Sequence, residues 1–82
     1  MYIFINTRQT PTPDGPIIMA TTSHRGRSVA AMDTSDLAAA RRCASCFFFG
    51  EAADRKKIVL VKIRARKYMA RLKTPQETFT AP

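Results

Sequence analysis

Acidic residues are scarce in this chain: six Asp and Glu stand against 14 Lys and Arg, giving a formal net charge of +8 over 82 residues. Histidine, cysteine and glycine are scarcer still, at one, two and three, and tryptophan is absent. Each shortage excludes something. Two cysteines are too few for a secreted disulfide scaffold, so reduced thiols and a cytoplasmic setting are expected. His24 is the one histidine, too few for a histidine-based metal centre, and local sequence gives it Ser23 and Ser28 but no acid to orient it for catalysis. Gly15, Gly26 and Gly50 form neither a dinucleotide fingerprint nor a phosphate-cradling loop. No apolar run exceeds five residues, against the roughly 18 needed to cross a bilayer, so no membrane partner is expected. The apolar start Tyr2-Ile3-Phe4-Ile5 lacks the basic lead and the length of a secretory signal, and Pro11, Pro13 and Pro16 oppose an amphipathic targeting helix.

The few acids are accounted for by local structure. Asp14 suits a turn, Asp33 and Asp36 suit a helix start, and Glu51 and Asp54 neighbour basic residues as weak surface pairs. No carboxylate pair is left for general acid–base work. Cys43-Ala44-Ser45-Cys46 is a CxxC, but a structural zinc site takes four ligands and a second such pair is missing. A redox CxxC needs its attacking thiol at a helix N-terminus, whereas this one falls near the C-terminal end of the expected helix, where the dipole opposes a thiolate. The expectation is a protein that binds and does not catalyse, without metal or cofactor.

Alternation and turn chemistry give the elements. Tyr2–Thr7 is β-branched and aromatic, as a strand requires. Pro11-Thr12-Pro13-Asp14-Gly15-Pro16 is a stiff turn, and residues 17–22 read as the returning strand of a hairpin. After the basic loop 23–27, residues 28–32 suggest a third strand. Asp33 is expected to cap a helix running from Thr34 to about Phe49, with Gly50 at its C-terminal end. At about 100° per residue, Leu37, Ala40, Ala44, Phe47 and Phe48 share the face expected to pack on the sheet, with Arg42, Ser45, Cys46 and Phe49 pointing away. Residues 57–63 form the strongest strand pattern in the chain and are expected to be its most buried strand. Residues 65–73 fit either a continuation of that strand or a helix carrying Tyr68, Met69 and Leu72. The expected fold is α+β: a small antiparallel or mixed sheet, made of the N-terminal hairpin and a C-terminal strand, with one helix packed on one face. Residues 1–73 form a single compact domain, and 74–82 a polar tail.

What the chain does have is positive charge gathered in one place. Residues 55–73 hold nine of the 14 Lys and Arg and no acid. Lys62, Arg64 and Arg66 alternate, as they would on one face of a strand, and like charges in a row repel unless an anion neutralises them. Nucleic acid is the commonest such anion. Lys62, Arg64, Arg66, Lys67 and Arg71 are therefore the candidate contacts, with Arg25 and Arg27 assisting and Tyr68 placed to stack on an unpaired base. Phe49 beside Arg42 is a candidate protein interface, since three successive aromatics on a helix cannot all be buried on one face. No nucleic-acid-binding motif is present. Size and charge suit a ribosomal or other ribonucleoprotein subunit. They equally suit a small virus-encoded inhibitor, of the anti-CRISPR kind, that docks on an acidic groove of a host protein complex.

Overall fold

The computed structural model describes residues 2–50 and 58–73. They form five strands and one helix: β1 (Tyr2–Thr10), β2 (Ile17–His24), β3 (Arg27–Asp33), α1 (Asp36–Phe49), β4 (Ile58–Arg64) and β5 (Lys67–Leu72). All five strands join one sheet in the order β3-β2-β1-β5-β4, antiparallel throughout. The fold is α+β, as the sequence predicts, with a sheet larger than a hairpin plus one strand. The 74–82 tail, the 51–54 connection and the cations Arg55, Lys56 and Lys57 lie outside the described residues.

The first three strands are a meander set by turn chemistry. At the β1–β2 tip, Thr12 and Gly15 exchange backbone hydrogen bonds of 3.1 and 3.0 Å, and Gly15 takes φ 115°. The β2–β3 turn is tighter: Arg25 and Gly26 are its two central residues, with φ 51° and 79°. Positive φ at both positions gives the twist that a two-residue hairpin needs.

The helix begins two residues later than the sequence suggests. Asp33 is held as the last residue of β3, paired with Ile18, and its carboxylate accepts from the Thr34 amide at 2.7 Å. Ser35 is the N-cap instead, its hydroxyl accepting from the Ala38 amide at 3.2 Å. Gly50 ends the helix in the left-handed region at φ 78°, donating to the Cys46 carbonyl at 2.9 Å. The buried stripe is Ala39, Ala40, Cys43, Ala44, Ser45 and Phe47. The expected stripe is thus rotated: Leu37 is 48 % exposed, while Ser45, expected outside, is fully buried. Small residues at four of these helix positions let α1 lie close over Ile3 and Ile5 of β1 and Ile18 and Ala20 of β2, which complete the core with Ala31, Ile58, Tyr68 and Ala70. Burying each isoleucine contributes about 1.5–3 kcal/mol.

The C-terminal segment departs furthest from expectation. Residues 65–73 neither prolong β4 nor form a helix. The chain turns at Ala65 and Arg66, with Arg66 at φ 63°, and returns as β5 between β4 and β1. This insertion makes β4 an edge strand, open along most of its length, and leaves β1 at the centre. One helix can cover only one face of such a sheet. It packs mainly over β3, β2 and β1, and only lightly over β4 and β5.

Candidate nucleic-acid interface

Strand alternation divides the side chains cleanly between the helix face and the opposite face, uncovered by any other element among the described residues. On β1, Ile3, Ile5 and Thr7 are buried, while Tyr2, Phe4, Asn6 and Arg8 are exposed. Ladder register carries this second set across the sheet. Val59, Arg71 and Tyr2 form one row, and Val61, Met69 and Phe4 the next. Arg64, Lys67, Asn6, Thr21 and Ala30 form a third row spanning all five strands, and Arg8, Met19 and Met32 a fourth. The uncovered face therefore holds four cations, Arg8, Arg64, Lys67 and Arg71, and no acid from any of the five strands.

The alternating basic row expected on β4 does not exist as such. The register shifts between Lys62 and Arg64, so Lys62 pairs with Tyr68, on the helix side, while Arg64 pairs with Lys67, on the uncovered side. A bulge of this kind flips the parity of the residues beyond it. Arg66 stands in the turn and donates to the Gln9 side chain at 3.3 Å. Of the sequence candidates, the structure brings Arg64, Lys67 and Arg71 onto one face, with Arg66 in the adjoining turn and Lys62 on the helix side.

Tyr68 is a correction. It is 4 % exposed and sits in the core beneath α1. Burial, and then the charge of Asp36, hold its phenol above the ordinary range. It cannot stack on a base. The aromatic rings exposed on the uncovered face belong to two residues outside the set of sequence candidates: Tyr2 and Phe4, 53 % and 52 % exposed on the central strand. Lys67 lies over the Phe4 ring, its ammonium 5.4 Å from the centroid. Their signal is present in the chain. On β1 one parity reads Ile, Ile, Thr and the other Tyr, Phe, Asn, Arg, and the second set is the one suited to water.

Arg25 and Arg27 lie elsewhere. The ladders put the β2–β3 turn at the Tyr2 end of β1 and the β4–β5 turn beside Thr7, whose amide donates to the Arg66 carbonyl at 2.9 Å. The two turns are thus about 17 Å apart along the strands. Arg27 holds the fold: its guanidinium is 5.1 Å from the Phe47 centroid and donates to the Cys46 carbonyl at 3.4 Å, near the negative end of the helix dipole. With His24, Arg25, Phe47, Phe48 and Leu72 it lines a cleft of about 350 Å³ on the helix side, separate from the uncovered face.

The expected Phe49–Arg42 interface is also not formed as a free patch. Phe49 packs partly buried against the core, and the Arg42 guanidinium lies 3.7 Å from the Asp33 carboxylate. Cys43 is fully buried, its thiol 3.7 Å from the Val29 carbonyl. Desolvation, reinforced by Cys46, raises its pKa to about 11, the reverse of what a reactive thiol needs. Among the described residues no group of three or more His, Cys, Asp or Glu could hold a metal ion, and no helix is long and apolar enough to cross a membrane.

Comparison with protein-family models, with curated proteins and with solved structures returns no match.

Proposed function

We propose that this is a non-enzymatic binding protein that holds nucleic acid against the uncovered face of its sheet. The observation that carries the reading is the charge on that face: Arg8, Arg64, Lys67 and Arg71 stand on it, and none of the five strands brings an acid to it. The described acids lie away from it, Asp14 at the β1–β2 tip and Asp33 and Asp36 around the start of the helix. Like charges at this spacing repel in the free protein, so a polyanion that neutralises them binds with release of its own counterions. Arg64 and Lys67 are direct cross-strand partners, which makes them the sharpest case.

A second reading has an observation in its favour. Val61 and Met32, 45 % and 53 % exposed, put apolar surface on the same face. Such surface would suit docking on an acidic groove of a host protein complex, whether as a virus-encoded inhibitor or as an assembly subunit.

The two readings separate in one titration of the purified chain against nucleic acid at 50 and 200 mM salt. Four phosphate contacts should cost roughly 50-fold in affinity for a single strand, and about 150-fold for a duplex, over that interval. Arg64→Glu with Lys67→Glu should abolish binding while the circular dichroism spectrum stays unchanged. Absence of binding at 50 mM salt would remove the nucleic-acid reading and leave the protein-docking one.

A further inference from the structure

Resting on the nucleic-acid reading, we infer that the ligand is a single strand, with two successive bases stacked on Tyr2 and Phe4. A basic surface alone does not discriminate, because phosphates are common to single strands and duplexes. The aromatic rings do. A duplex turns its base faces inward and can offer a flat sheet only its backbone. An unpaired strand can lay its bases on exposed rings, and each such contact is sequence-tolerant.

Three features of the face fit this ligand. First, Tyr2 and Phe4 are two residues apart on the same side of β1, about 6.8 Å along the strand. An unstacked dinucleotide spans that interval. Both residues are laddered to β5, Tyr2 opposite Arg71 and Phe4 opposite Met69, so their rings are fixed in register with the basic strand. Leaving two aromatic rings half exposed there is unfavourable in the free protein unless something covers them.

Second, the cations lie to one side of the rings. Arg71 is the direct cross-strand neighbour of Tyr2 on β5, and Lys67 reaches over Phe4 from the same strand. Arg64 stands beyond Lys67 on β4. A backbone running over β5 would meet these cations while its bases lean toward β1. Lys67 would then exchange the Phe4 ring for a phosphate as a base takes its place.

Third, the surface on the other side of the rings is hollow and carries hydrogen-bonding groups among apolar ones. Asn6, Thr21, Thr22, Ser23, Ser28, Val29 and Ala30 line a shallow depression of about 350 Å³ on β1, β2 and β3. Asn6, Thr21, Ser23 and Ser28 can hydrogen-bond there. A base stacked on Phe4 would direct its edge toward this depression. Cations, rings and a floor with hydrogen-bonding groups thus succeed one another across the sheet, in the order of a nucleotide's own parts.

The test uses the full chain and fluorescence anisotropy with three labelled probes: a 20-nucleotide thymidine DNA, a 20-nucleotide uridine RNA and a 20-base-pair mixed-sequence duplex. The single strands should bind at least 10-fold more tightly than the duplex, and the DNA and RNA arms show whether the sugar matters. Phe4→Leu keeps an apolar side chain and removes the ring. It should weaken single-strand binding roughly 5- to 100-fold and leave the duplex unchanged. Single-strand binding should also quench tyrosine fluorescence, and Tyr2→Leu should abolish that quench, since Tyr68 is buried. Equal affinity for duplex and single strand with Phe4→Leu indistinguishable from wild type would overturn the inference and leave nucleic-acid binding standing. No binding to any probe at 50 mM salt would sink both. A dimer in the absence of ligand that Phe4→Leu dissociates would assign the rings to a second copy of the chain and overturn the inference as well.

Discussion

Cys43 shows how a residue that looks chemical in sequence is settled by its surroundings. Its CxxC spacing invites a redox reading, yet the thiol lies against the Val29 carbonyl under the helix, with its pKa raised to about 11. A folded pKa above the ordinary 9.0 means the native state favours the protonated thiol. Its contribution to stability is therefore complete below about pH 9 and is lost as pH rises through 11. The urea midpoint should fall over that window, and Cys43→Ala should flatten the fall, with the remainder left to Tyr68. A maleimide reagent at pH 8 should modify the partly exposed Cys46 quickly and Cys43 only as the protein opens. Phe4 is the opposite case. It is a large apolar side chain, but its position on the uncovered face implies that Phe4→Ala changes stability by no more than about 1 kcal/mol, the size of its contact with Lys67. Ile5, one residue on, points into the core, and Ile5→Ala should cost about 2–5 kcal/mol. Chemical denaturation of the two variants side by side checks this split.

At the scale of elements, capping and turn chemistry are the most legible part of the chain. Gly50 closes the helix in the expected place, and the proline-rich tip joins β1 to β2. The helix start expected at Asp33 moves to Ser35 because Asp33 is held in β3 by its pairing with Ile18. Ser35→Ala should accordingly cost about 1 kcal/mol, measured by thermal unfolding. The β4–β5 hairpin is illegible for a physical reason: Ala65 and Arg66 carry no Gly, Asn or Pro, although Arg66 occupies the left-handed region. An Arg at φ 63° is strained, and Arg66→Gly should stabilise the hairpin by up to about 1 kcal/mol. Without that turn the site itself is displaced. Tyr68 then looks free to stack, and the parity change between Lys62 and Arg64 is hidden. The two edges of the finished sheet differ. β4 carries a bulge and outward cations, features that discourage edge-to-edge pairing.

At the scale of the molecule, the decisive fact is that, among the described residues, one helix faces five strands. The excess of positive charge is plain in the sequence, but charge in a linear chain says little about which cations meet. Folding sorts them: Arg27 to the helix end, Arg42 to Asp33, Arg66 to Gln9, and Arg8, Arg64, Lys67 and Arg71 to the face the helix leaves open. That face, with Tyr2 and Phe4 on its central strand, is the proposed binding surface. Methionine-methyl NMR during titration with the 20-nucleotide thymidine strand reports on it directly, because Met69 adjoins Phe4 and Met19 adjoins Arg8 across the ladders. The expected result is a saturating shift of the Met69 and Met19 methyls, largest for Met69, with the Phe47 and Phe48 ring signals on the helix side unmoved. Shifts confined to Phe47 and Phe48, or none at 50 mM salt, would contradict the account.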